Sequence, residues 1–120
     1  DEVRVCKGMK RMLEAGVNPN RMTISSDGQG SLPMYSKDGE FLGMGVGQSS
    51  CLLKEVKECV FKADIPLEIA LSTITSNPAE ILRLKGKGKI EEGYDADLCI
   101  LDQDLQLVEV IARGKTVYTK

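Results

Sequence analysis

Histidine is absent from all 120 residues, and tryptophan with it. Without imidazole the chain by itself can build no Ser-His-Asp triad, no Cys-His pair and few of the usual zinc sites. A basic excess is missing too: 16 Lys and Arg face 18 Asp and Glu, for a net charge of −2, and the cations are scattered. No stripe of positive charge is available to neutralise a phosphate backbone, which argues against a nucleic-acid partner. No apolar run approaches the roughly 20 residues of a bilayer span. There is neither a basic-then-apolar leader nor an Asn-x-Ser/Thr acceptor, so the expected setting is cytoplasmic, with no membrane partner.

The four cysteines, Cys6, Cys51, Cys59 and Cys99, show no two-residue gap of the kind used by metal knuckles and redox pairs. On a helix, Cys51 and Cys59 stand roughly 12 Å apart by the 1.5 Å rise, too far for a disulfide. They are expected to be apolar core thiols in a reducing compartment. With 42% hydrophobic and 28% charged residues the composition is that of a globular protein, and the length is that of one small domain with a marginal core.

Residues 2–15 read as a helix, with Val3, Cys6, Met9, Met12 and Leu13 at three- and four-residue spacing and Gly16 at the C-cap position. The helix has no start signal, and the chain begins at Asp1 rather than Met, so the sequence is expected to be cut from a longer one. A turn at Val17-Asn18-Pro19-Asn20 leads into a β-branched stretch, Met22–Ser26, expected to be a short strand. Between 27 and 47 lie six glycines, predicting a long loop with a hairpin tip at Lys37-Asp38-Gly39.

Ser49 or Ser50 is expected to cap a second helix carrying Leu52, Leu53, Val56, Cys59 and Val60. Pro66 suits the first turn of a third helix, and Asn77-Pro78 breaks and restarts the periodicity before a fourth. From residue 89 the pattern becomes one of strands: Lys89-Ile90, 98–101, 108–112 and 116–118, with turns at Glu92-Gly93 and Arg113-Gly114-Lys115.

Chemistry concentrates at Asp27, where a strand runs out into a glycine-rich loop, the place where α/β folds put catalytic groups. Gly28 and Gly30 allow the main chain to turn and to approach a ligand, and Ser31 offers a hydroxyl. Taken alone, Asp-Gly after a strand is also an ordinary turn signal. The run Gly43-Met44-Gly45-Val46-Gly47-Gln48-Ser49-Ser50 fails the phosphate-loop spacings and reads as a flexible loop entering a helix. Asp95 and Asp97 are too few for a calcium site and read as turn residues.

Several motifs then fall in one order. Thr75-Ser76-Asn77-Pro78-Ala79-Glu80-Ile81-Leu82, Gly86-Lys87-Gly88-Lys89-Ile90, Gly93-Tyr94-Asp95-Ala96-Asp97-Leu98 and Ala112-Arg113-Gly114-Lys115 together resemble the C-terminal end of the amidohydrolase superfamily. Thr23-Ile24-Ser25-Ser26-Asp27-Gly28-Gln29-Gly30-Ser31 resembles the end of the eighth barrel strand in isoaspartyl (β-aspartyl) dipeptidases. The resemblance implies an α/β fold class: a C-terminal fragment of a (β/α)8 barrel over residues 1–85, followed by strands of a small β-sandwich over 86–120. It implies that Asp27 is a metal ligand and the proton-shuttling carboxylate of a two-zinc site. It also implies that Ser31 bonds the dipeptide's carboxylate and that Gly28 and Gly30 shape the substrate loop.

The His-x-His pair, carboxylated lysine and further histidines of that family are not in this chain. The 120 residues alone are therefore expected neither to hold zinc tightly nor to hydrolyse a dipeptide, while the full-length protein is expected to form a homo-oligomer. Two other readings stay open at this point. One is an amidohydrolase acting on cyclic amides, dihydroorotase- or hydantoinase-like; the other is a non-catalytic folded module.

Overall fold

A computed structural model describes residues 4–120. Helix α1 spans Val5–Glu14 and buries Cys6 and Met9; Val3, assigned to the same helix by its spacing, lies outside the described residues. Its end follows the expected chemistry. Gly16 takes φ +86°, its N–H bonds Leu13 O, and the Val17 N–H reaches back to Met12 O, a Schellman closure that a side chain at 16 would strain. A single 3₁₀ turn, Pro19–Arg21, follows, with the Asn18 side chain accepting from the Asn20 N–H.

The Met22–Ser26 stretch does not form the expected strand. It runs as irregular chain, with Met22 extended, and its interior makes one backbone bond, from Ile24 N–H to Thr73 O at 3.2 Å. A strand needs a ladder on at least one side, and no strand lies beside this stretch among the described residues. Met22 is nevertheless buried, and Ile24 packs against the same core.

The expected long loop is mostly ordered. Strands β1 (Ser31–Tyr35) and β2 (Phe41–Val46) pair antiparallel, so the Gly43–Val46 run is strand rather than flexible loop. The tip falls where Lys37-Asp38-Gly39 predicts it, closed by Ser36 N–H to Glu40 O and by Ser36 Oγ accepting from the Asp38 and Glu40 N–H groups. Alternation was masked in the sequence by glycines 43 and 45 sitting opposite Met34 and Leu32.

Helix α2 (Cys51–Ala63) buries Val56, Cys59 and Ala63 on its apolar stripe. Neither serine caps it as expected: Ser50 occupies the cap position with no side-chain bond to the helix, its hydroxyl lying near Gln48 Oε1 instead. Pro66 stands at the cap of α3 (Leu67–Ser72). Helix α4 (Ser76–Ile81) takes in Asn77 and places Pro78 in the first turn, where its missing N–H costs nothing. The core unites α1, Met22, α2 and α3 through Cys6, Met9, Val56, Cys59, Ile65 and Ala70.

Residues 98–119 form a three-stranded antiparallel meander: β3 (Leu98–Leu101), β4 (Leu107–Ala112) and β5 (Lys115–Thr119). Arg113 and Gly114 both have positive φ and close a two-residue hairpin loop between Ala112 and Lys115. Lys89-Ile90 is not a strand; Ile90 is 90% exposed. Of the cysteines, Cys6 and Cys59 are core thiols, Cys51 is half-buried, and Cys99 is exposed on β3, against expectation. All four are free, and burial pushes the Cys59 thiol up to about 11, which keeps it protonated at neutral pH. No helix is long and apolar enough to cross a membrane among the described residues.

Candidate active site

Asp27 ends the irregular stretch and takes φ +47°, in the left-handed region that aspartate tolerates better than most residues. Gln29 follows at φ +67°, so the chain reverses within four residues. The reversal is closed by Gly30 N–H to Asp27 O at 2.8 Å, and its far end is then tied to the exit of β2 by Gln29 N–H to Gly47 O at 2.9 Å and Gly47 N–H to Gly30 O at 2.8 Å. The Asp27 N–H also points at Ser25 Oγ, 3.4 Å away.

The glycines of this loop serve close approach. A Cβ on Gly30 would lie 2.6 Å from Asp27 Oδ2 and 2.7 Å from its Cγ, so the carboxylate is folded over bare backbone. Gly47 is buried, and a Cβ there would collide with Asp27 O and approach Ser26 O to 3.1 Å. At Gly28 a Cβ would meet only Ser26 Oγ, at 3.3 Å, a looser constraint. Ser31 opens β1 directly after Gly30 and pairs with Val46. Asp27, Gly28, Gly30 and Ser31 are thus brought into one turn-and-strand unit, with Asp27, Gly28 and Ser31 exposed.

Two contributors were not singled out in the sequence. Gly47 clamps the base of the hairpin to Asp27, and its signal was present as a glycine just beyond the strand that pairs with Ser31. Asn77 is 2% exposed, and its amide donates to Pro19 O and Met22 O, both at 2.8 Å. It thereby holds the turn that feeds the Asp27 segment. An Asn before Pro gives a boundary signal in sequence, but nothing local says that its amide bridges 55 residues back along the chain.

Asp95 and Asp97 play no part in this unit. Both grip Lys87, Asp95 at 2.7 Å, and Asp97 Oδ1 also accepts the Arg113 N–H at 2.8 Å, tying the 86–97 turns to the β4–β5 loop. The hydrogen bond from Lys87 holds the Asp97 carboxyl below the usual range, and those two carboxylates hold Lys87 above its own. A groove of 430 Å³ between α2 and Leu105-Gln106 includes no residue of the Asp27 loop.

The donor set decides what this unit can hold. Asp27 is its single carboxylate, no imidazole exists in the sequence, and no group of three His, Cys, Asp or Glu side chains gathers among the described residues. Zinc takes four ligands, or three and a water. The residues of this chain do not fit a metal site on their own, and Asp27 supplies at most one ligand. What they do offer is an exposed carboxylate on a tightly pinned loop, able to accept and return a proton, beside a hydroxyl able to bond an anionic oxygen.

Comparison with known proteins gives this geometry a setting. A β-aspartyl dipeptidase from the thermophilic, keratin-degrading Fervidobacterium islandicum AW-1, solved in complex with the dipeptide β-Asp-Leu, superposes with a TM-score of 0.83 and 37% identity, over 99% of this chain and 30% of its own. A dihydroorotase from Endomicrobium trichonymphae is 40% identical over 57 residues, covering 48% of this chain and 14% of its own length. A dihydroorotase from Thermoplasma acidophilum is 29% identical over 100 residues, 83% of this chain and 24% of its own length. The chain thus spans less than a third of each of these proteins. Residues 3–117 match the amidohydrolase family, to which this chain belongs.

Proposed function

We propose that this chain is the C-terminal part of a metal-dependent hydrolase that cleaves β-aspartyl (isoaspartyl) dipeptides. The observation that carries the reading is the Asp27–Ser31 unit, set in a chain that superposes end to end on a β-aspartyl dipeptidase. In this reading residues 1–85 complete a (β/α)8 barrel, and Met22–Ser26 becomes its eighth strand once a neighbouring strand supplies the ladder. Residues 86–120 contribute the meander to a small β-sandwich. Zinc, two ions per site, is the metal we propose, with every ligand except Asp27 outside this chain. The setting is cytoplasmic and the assembly a homo-oligomer.

The roles of the residues follow from their chemistry. Asp27 accepts the proton released as water adds to the amide carbonyl, then passes it to the nitrogen of the departing amino acid. The Ser31 hydroxyl donates to a carboxylate of the dipeptide and so orients the scissile bond. The loop pinned by Gly30 and Gly47 keeps both groups in register.

The competing reading, hydrolysis of a cyclic amide, is favoured by the two dihydroorotases among the sequence relatives. The full-length protein, assayed side by side on β-Asp-Leu and on dihydroorotate, separates the two. Release of leucine with dihydroorotate untouched supports the dipeptidase. Ring opening of dihydroorotate with no release of leucine assigns the cyclic-amide reaction instead.

A further inference from the structure

The hairpin that rises from the Asp27 loop has two unlike faces. On one, Leu32 and Met34 stand opposite Gly45 and Gly43, and the Met34 side chain lies across Gly45, its sulfur 3.0 Å from where a Cβ would be. That face carries Leu32 and Met34, 41% and 47% exposed, over the bare backbone of the two glycines. The other face begins at Ser31 and carries bulky apolar groups on both strands, Val46 opposite Ser31 and Met44 opposite Pro33. Val46 is 61% exposed and Met44 57%, and neither belongs to the core.

We propose that the Ser31 face of this hairpin is the specificity surface for the amine half of the substrate, with Val46 and Met44 receiving an apolar side chain of the departing amino acid. The proposal rests on the dipeptidase reading above. Directly opposed residues on one face of an antiparallel pair have Cβ atoms about 4.5–5.5 Å apart, so a substrate group bonded to the Ser31 hydroxyl lies against Val46. The aspartyl half presents an amino group and a carboxylate, which an apolar surface does not reward. Only the amine half brings a variable side chain, and no charged residue stands on these two rungs to favour a charged one. The surface is also held in place relative to the reacting carboxylate, because Gly47 ties the end of β2 to Gln29 and Gly30.

The test measures kcat/KM of the full-length protein on β-Asp-Leu, β-Asp-Gly and β-Asp-Asp. The expected order is Leu, then Gly, then Asp, with Leu about tenfold above Gly, the scale on which apolar pockets discriminate. Val46→Ala and Met44→Ala should each lower the Leu-to-Gly ratio at least about threefold, and turnover of β-Asp-Gly shows that the variant has folded. A ratio unchanged in both variants overturns the proposal, and a loss of assembly with the ratio unchanged assigns the face to contact between copies of the chain. If Val46→Ala does not fold, Met44→Ala and the substrate order in the unsubstituted protein decide. Failure of the unsubstituted protein to cleave any of the three dipeptides removes the dipeptidase reading itself, whereas cleavage with no preference removes this inference alone.

Discussion

A methyl group on Gly30 would lie 2.6 Å from Asp27 Oδ2 and 2.8 Å from Asp27 O, and φ at Gly30 is not in the left-handed region, so alanine there is opposed by the Asp27 carboxylate and carbonyl together. Gly30→Ala is therefore expected to shift the Asp27 turn and its carboxylate together, lowering kcat about 100-fold, the effect of a displacement of about 1 Å at a reacting group. Steady-state kinetics beside a circular dichroism spectrum check it; a variant with native turnover would show that the carboxylate is not where the chemistry happens. At this scale the sequence was informative about the turn, because the Asp27-Gly28 signal coincides with positive φ at Asp27 and Gln29. It was silent about Gly47, because a glycine needed for close approach looks like any other until the approaching backbone, here Asp27 O, is known.

Among the elements, the Asn77 side chain links α4 to the turn that feeds the Asp27 segment. Asn77→Ala would leave Met22 O without its buried donor and Pro19 O with the Met22 N–H alone, at a cost of about 1–3 kcal/mol, read as a lower urea midpoint of the full-length protein. A midpoint shift within error would mean that the α4 contact does not hold the turn. The 86–97 turns are held differently, by exposed charge. Asp97 lies below the usual carboxylate range and Lys87 above its own, so each stays charged beyond its ordinary range and the pairing spans neutral pH. It is lost as pH falls through the lowered carboxyl value or rises through the raised lysine value. The Arg113 amide proton, bonded to Asp97 Oδ1, reports this by NMR: its acid titration is expected below the ordinary aspartate value, and a midpoint at or above that value contradicts the pairing.

Element by element, legibility in the sequence tracked how local the cause was. Gly16, the Lys37-Asp38-Gly39 tip and the Arg113-Gly114 turn were readable because their positive-φ or turn chemistry is contained in a few residues. Met22–Ser26 departs from the expected strand because β-branched composition states a preference that only a partner ladder satisfies. Ile90 departs from it for the same reason, with 90% of its surface left exposed. Asn77 was missed as a bridge because its acceptors are more than fifty residues away.

The molecule as a whole is open. Its radius of gyration is 16.0 Å where a compact domain of this length has about 14 Å. Its accessible surface is 9081 Å² where a compact monomer of this mass has about 6,400 Å². Phe41, Leu42, Phe61, Leu82 and Val117 are each more than half exposed, apolar surface in search of a cover. The 120-residue chain by itself is accordingly expected to unfold over a broad range and to bind the dye ANS, whereas the full-length protein unfolds in a single sharp transition. A sharp transition of the monomeric 120-residue chain, with no dye binding, would favour the non-catalytic module.

The central claim is that Asp27 carries the proton in hydrolysis of a β-aspartyl dipeptide. The most direct measurement is kcat of the full-length protein on β-Asp-Leu beside its Asp27→Asn variant. The account predicts turnover in the first and a loss of about 10²–10⁴-fold in the second, the usual contribution of a general acid–base group. Turnover retained in the Asn variant would contradict it.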